Sequence, residues 1–297
     1  FLEFGKISSE DKPYNLIVTT DETVFNKRNK KRTRLLINLV FRIKLFKTEL
    51  VVVAQDTTRY GEDIYGKSML PELLTALCEI DGFKWIRTLY CYPERITDEL
   101  LDVIAKEDKL VKYLDMPIQH CDKTILKRMN RHGDRETLTA LIKKIREKIP
   151  NVTLRTTLIT GFPGETEEQF EELCEFVKEI RFERLGCFAY SPEEGTPAEK
   201  FEDQVPLKDR ERRAEIIMEE QMIISDSLNE ASLDSEVEVV CEGFDRYAEC
   251  YYGRSQADAP EIDGKIFFLS EDKVRVGEYV KVKIDDTMDY DLIGSKM

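Results

Sequence analysis

The chain has 297 residues, with 59 acidic and 45 basic side chains, two histidines and a formal net charge of −14. That length can bury a full core in one large domain or two ordinary ones, while the acidic excess argues against a surface that coats nucleic acid, because phosphate contacts need clustered Lys and Arg. No apolar run is long enough to span a bilayer and the first residues carry no charged-then-apolar leader, so a cytoplasmic location without membrane insertion is expected.

Residues 1–22 read as a polar linker that enters a first strand around 14–18. Residues 23–48 stand apart, with nine Lys or Arg and no acid, and with an apolar set around Leu35, Leu36, Val40 and Phe41 that fits neither a helix face nor strand alternation. A basic arm for RNA and an amphipathic surface helix are two readings of this segment.

From Glu49 the pattern is regular. LVVVA at 50–54 is a buried strand ending in Gln55-Asp56-Thr57-Thr58, and a helix follows over 70–80. A strand at 85–90 ends in Cys91-Tyr92-Pro93, and Thr97 caps a helix running to Ala105. The strand at 111–116 ends in Pro117-Ile118-Gln119-His120, and 135–148 is helical. LRTTLITGFPGE at 154–165 then supplies a buried strand, a tight loop and a helix start. In that loop Gly161 and Gly164 suit positive φ and close approach of the backbone to a ligand, Pro163 fixes the turn, and Thr166 caps a helix to Ile180. A strand at 185–190 ends in Ser191-Pro192. Strands alternating with helices at this spacing mean parallel βα units with right-handed crossovers, and such sheets bind ligands outside the carboxyl ends of their strands.

A charged helix from 207 to about 229 reads as a partly exposed connector, and 235–297 as a small antiparallel barrel with strands near 237–240, 248–252, 266–268 and 279–284. That last segment holds 15 acids and 8 bases, so its net of −7 is half of the whole imbalance and suits a basic protein partner. The seven cysteines (78, 91, 121, 174, 187, 241 and 250) form neither a C-x-x-C pair nor a disulfide framework and read as reduced and mostly buried. His120 beside Cys121 is a poor metal site without further ligands, so no metal ligand is assigned. His120 reads equally as a ligand-facing group and as a hydrogen-bonded structural histidine.

Taken together, VVVAQDTTRYG, IRTLYCYPERIT, YLDMPIQH, LKRMNR, LRTTLITGFPGETEEQF, FAYSPEEGT and the APEIDG segment at 259–264 resemble the radical S-adenosylmethionine (SAM) methylthiotransferases. The resemblance covers 49–297. It implies an α/β fold: a partial, TIM-like (β/α)6 radical-SAM barrel over 49–206, a connecting helix over 207–234 and a TRAM-like β-barrel over 235–297. It also implies an enzyme that adds a methylthio group to an aspartate of a basic small-subunit ribosomal protein, using SAM, [4Fe–4S] clusters and an electron donor, with nucleic acid and membrane outside its partners. On the matching positions Gln55, Asp56, Gln119, His120, Arg155, Gly161, Gly164 and Glu165 form the SAM cradle; no catalytic residue is assigned. The rivals are the related tRNA adenosine methylthiotransferase, which the acidic end domain disfavours, and a non-catalytic acidic module that docks a basic ribosomal protein.

One departure matters. The family holds its radical-generating cluster through C-x-x-x-C-x-x-C after the first strand, where this chain has the basic stretch 23–48 and no cysteine. Lys and Arg cannot replace thiolates, so the chain as written is expected not to generate the radical. A short interval of shifted reading frame would produce such a composition with both flanks intact. On that expectation the underlying DNA, read in another frame, carries cysteines at cluster spacing.

Overall fold

The computed structural model describes residues 15–20 and 48–297; the linker before Asn15 and the basic segment, Thr48 apart, lie outside the described residues. β1 (Asn15–Thr20) pairs in parallel with β2 (Glu49–Ala54), and β2 with β3 (Trp85–Thr88). β4 (Tyr113–Asp115), β5 (Thr153–Thr160) and β6 (Arg184–Ala189) form a second parallel set. A parallel bridge between Ile86 and Leu110 joins the two sets, giving an open barrel in chain order. β4 is shorter than the run 111–116 suggests, because Val111 bonds to Ile86 and Met116 to Arg155, so its flanks serve different neighbours.

The helices α1 (Leu70–Cys78), α2 (Asp98–Lys106), α3 (Lys123–Arg128), α4 (Arg135–Lys148) and α5 (Glu167–Ile180) wrap the outside. Their starts are chemically marked: Thr97 accepts from Leu100 N–H, and Asp134 and Thr166 each close a capping box, worth about 1 kcal/mol apiece. α3 carries no long apolar period, and only Asp122, which accepts from the Thr124 and Ile125 amides, announces it.

Side chains alternate across each strand. Leu50, Ile86, Leu114, Leu154 and Leu158 point outward into the helix layer and build the main core, each contributing roughly 1.5–3 kcal/mol on burial. The opposite set faces the lumen: Val51 on β2, Trp85 and Arg87 on β3, Tyr113 and Asp115 on β4. On β5 the half-buried positions Arg155, Thr157 and Ile159 alternate with buried ones, and on β6 Leu185 and Cys187 pack outward, which turns Arg184, Gly186 and Phe188 inward.

α6 (Leu207–Glu230) is partly exposed, as its charges suggested, but it carries a buried stripe that the charges hid. Arg210, Arg213, Ile217, Gln221 and Ile224 recur at helical spacing and are buried, so one stripe, including two arginines, seals the outer face of β5 and β6.

The second domain is a closed barrel of β7 (Glu236–Asp245), β8 (Cys250–Arg254), β9 (Ile266–Leu269), β10 (Tyr279–Met288) and β11 (Asp291–Lys296), in the order β10-β11-β9-β8-β7. β11, which the sequence reading did not anticipate, pairs in parallel with β9; the barrel is therefore mixed rather than wholly antiparallel. This domain seats on the amino ends of the first barrel's strands. Trp85 meets Tyr279 edge-on at 4.8 Å, and the β8–β9 loop enters the lumen from below. Arg87 Nε donates to Glu49 Oε1 at 3.1 Å, Arg254 binds the other oxygen of Glu49 and also Glu242, and Arg87 Nη1 donates to Gln256 O at 3.0 Å. Arg184 pairs with Asp258 at 2.6 Å, while the Tyr113 hydroxyl donates to Asp263 at 2.7 Å.

Candidate functional site

The carboxyl ends of β2 to β6 gather at the opposite mouth. After β2, Asp56 caps a single 3₁₀ turn: Oδ1 accepts from Thr58 N–H at 3.0 Å and from the Thr58 hydroxyl. Its Oδ2 is buried without a hydrogen-bond donor and faces Arg95 Nε at 3.5 Å. Burial raises the Asp56 pKa above the ordinary aspartate value, with Thr58 and Arg95 opposing it. Gln55, beside it, is exposed.

After β4, Gln119 adopts φ +69°, a strained left-handed conformation for a non-glycine. Its backbone is pinned on both sides by β5, since Gln119 N–H donates to Thr157 O and Gln119 O accepts from Ile159 N–H. Its side-chain Oε1 is buried with no donor. His120 is fully buried; Nδ1 accepts from Asp122 N–H at 2.9 Å, which puts the ring proton on Nε2, and Nε2 points at Glu165 Oε2 across 3.5 Å. The histidine thus stands behind the strand end as a buttress for Glu165.

The β5 turn has the backbone its glycines permit, and protein packs on their Cβ side. Gly161 and Gly164 have φ of +69° and +83°, and close approach does occur, from the chain itself. A Cβ on Gly161 would stand 2.3 Å from Arg210 Cγ, and one on Gly164 2.5 Å from an Asp203 carboxylate oxygen and 2.9 Å from Arg128 Cζ. Their amides are also engaged, Gly161 N–H by Glu165 Oε2 and Gly164 N–H by Asp203 O. Glu165, 5% exposed, accepts Arg213 Nη1 on its other oxygen at 2.7 Å. Arg210 reaches past Gly161 to donate to Tyr190 O at 3.0 Å. The start of α6 therefore clamps the ends of β5 and β6, and sequence reasoning missed both arginines; the signal was their helical spacing with Ile217.

Arg155 lies away from this mouth. It is the third residue of β5, level with Asp115 and Arg184 in the ladder, and donates from Nη1 to Asp115 at 2.8 Å. So Asp56, Gln119, His120 and Glu165 converge at the strand ends, Gln55 edges them, Gly161 and Gly164 are sealed against protein, and Arg155 faces the lumen.

Comparison with known proteins bears on this geometry. Residues 17–177 match the Radical SAM superfamily model and 235–296 a TRAM domain model. The chain belongs to the radical SAM superfamily. A relative named ribosomal protein uS12 methylthiotransferase RimO, from Clostridium botulinum (strain Okra / Type B1), is 46% identical over 267 residues, covering 90% of this chain and 60% of the relative. One of the same name from Lachnoclostridium phytofermentans is 51% identical, covering 83% and 56%. The chain thus spans little more than half the length of the curated relatives it matches. Among solved structures, coproporphyrinogen III oxidase (HemN) from Escherichia coli has a TM-score of 0.53 at 20% identity, over 73% of this chain and 53% of that one; that likeness shows the fold.

Radical SAM proteins use SAM and [4Fe–4S] clusters. Asp56 Oδ2, which has only the Arg95 ion pair and no hydrogen-bond donor, and Gln119 Oε1, which has no donor, fit SAM, whose ammonium and ribose hydroxyls are donors. A cluster finds no such fit. All seven cysteines are described, are free and lie on separate elements, and no group of three or more His, Cys, Asp or Glu among the described residues could hold a metal. Burial pushes the Cys91 and Cys187 thiols up to about 12 and raises Cys121 as well, the opposite of what a thiolate ligand needs.

Proposed function

We propose that this chain serves the methylthiolation of ribosomal protein uS12 at an aspartate, with the first barrel holding SAM and the acidic second barrel docking the basic substrate. The observation that carries the SAM half is the pair of buried acceptors without a hydrogen-bond donor at the ends of β2 and β4. Asp56 and Gln119 would take the donors of SAM, while Glu165, held by Gly161 N–H and Arg213, keeps the β5 end in place. SAM supplies the methyl group and the adenosyl chemistry when bound; the chain's own residues orient it and exclude water.

The substrate half rests on charge. The second domain's net of −7 attracts a basic protein and repels RNA, which favours uS12 over a tRNA. A second reading shares that docking without chemistry, and the placement of the thiols favours it: none lies in the first 77 residues.

The test is anaerobic expression and reconstitution with iron and sulfide, followed by incubation with uS12 and SAM. A methylthio mass increment on uS12 supports the enzyme, and binding of both ligands with no increment supports the docking module. Failure to bind uS12 would sink both readings, and failure to bind SAM would sink the enzyme.

A further inference from the structure

The lumen between the two mouths holds three arginines, and they are not equivalent. Arg87 is fully buried on Glu49 and stacked over the Tyr113 ring at 4.4 Å. Arg184 spends Nη2 on Asp258 at 2.6 Å and Nη1 on Glu183 O at 2.8 Å, and its Nε is buried. Arg155 differs: Nη1 donates to Asp115 at 2.8 Å and Nε faces Asp263 at 3.5 Å, while Nη2 has no partner among the described residues and the side chain stays 15% exposed.

Its two supports are themselves fixed. Asp115 also accepts Tyr90 N–H at 2.9 Å, which sets this pair at the level where β3 has already ended. Asp263, on the loop from the second domain, accepts the Tyr113 hydroxyl and Ala259 N–H. The guanidinium is therefore held between two carboxylates, with Nη2 left over on the lumen side of β5. Above it on the same wall stand Thr157 and Ile159, and beside them Gly186 and Phe188, whose ring is 61% exposed. A cation at the base of a lumen with an apolar wall suits a short acidic side chain carried on a peptide, because a charge-assisted bond to a carboxylate is about twice as strong as a neutral one.

We propose that Arg155 is the specificity-determining residue of the lumen, receiving the side-chain carboxylate of the substrate and so selecting aspartate. The inference rests on the uS12 reading above. It assigns the second domain a part in the first domain's selectivity, since Asp263 helps to hold Arg155.

The experiment measures binding of intact uS12, and of uS12 variants with each aspartate changed singly to asparagine, to the full chain and to Arg155→Met. One asparagine variant should bind the unaltered chain roughly 10-fold more weakly, as loss of a charge-assisted bond implies, and this difference should vanish in Arg155→Met. Because Arg155→Met leaves Asp115 unpaired, Arg155→Lys and Asp115→Asn/Arg155→Met serve as folded controls, and the asparagine scan on the unaltered chain needs no variant of it. If every asparagine variant binds as uS12 does, or the difference survives in the Arg155 variants, Arg155 does not read the carboxylate, while uS12 binding itself stands. If the unaltered chain fails to bind uS12 at all, the uS12 reading falls and the inference with it.

Discussion

The two mouths of the first barrel bury charge in opposite ways. At the amino ends, Glu49, Arg87, Arg254 and Glu242 are each under 10% exposed and form a linked set across both domains. The atoms left over there, Arg87 Nη2 and Arg184 Nε, are donors. At the carboxyl ends, Asp56 and Gln119 keep whole acceptor atoms buried without a donor, and Gln119 bears backbone strain besides. Buried polar groups are stable when paired and costly when not. The lower mouth is therefore architecture, and the upper mouth retains unmet bonding capacity that a ligand can fill.

Breaking the lower mouth should have the largest effect. Arg254→Met strands Glu242 in the interior and leaves Glu49 with Arg87 alone, and a loss of about 3–5 kcal/mol is expected, read as a lowered urea midpoint. Adding Glu242→Gln should recover part of it, since Glu49 keeps Arg87, whereas no recovery would mean that packing rather than charge dominates. Gly161→Ala comes next. It combines a positive φ with a Cβ 2.3 Å from Arg210 Cγ, costing roughly 2–4 kcal/mol. An unchanged midpoint would show that α6 does not press on the turn.

The lower mouth also predicts a slope with pH. Burial raises the pKa of Asp263 above 3.8 against its bonds from Ala259 and Tyr113, so the folded state favours the protonated form. Its contribution is fully present below the unfolded value and is lost as pH rises through the higher folded value. Asp263→Asn should flatten that part of the profile in urea titrations at stepped pH, and a parallel profile would contradict it. The smallest effect concerns thiols. With Cys91 and Cys187 pushed up to about 12, under ~0.1% is thiolate at neutral pH, and alkylation of the folded protein should be slow until denaturant is added.

Much of the upper mouth was legible in the sequence because its cues are local. Gly161-Phe162-Pro163-Gly164 and the capping residue Thr166 lie within six residues, and Asp56 and Gln119 each follow an apolar run directly. The lower mouth was not, because its pairs join residues far apart: Glu49 and Arg254 are separated by 205 positions, and nothing near either one names the other. Arg210 and Arg213 were hidden for a different reason, as charged residues on a charged helix look solvated until a neighbour claims them. The positive φ of the β5 turn was legible from its glycines, but not that Arg210, Asp203 and Arg128 pack on their Cβ side, since a glycine does not specify what fills the space beside it. Residues 23–48, Thr48 apart, lie outside the described residues, and DNA sequencing of that interval bears on them.

Hydrogen exchange with and without saturating SAM tests the contrast between the mouths most directly. Amide exchange should slow around 55–58 and 117–122 at the strand ends, with the loop 255–263 unchanged. Unaltered exchange at those strand ends, or protection confined to 255–263, would contradict it.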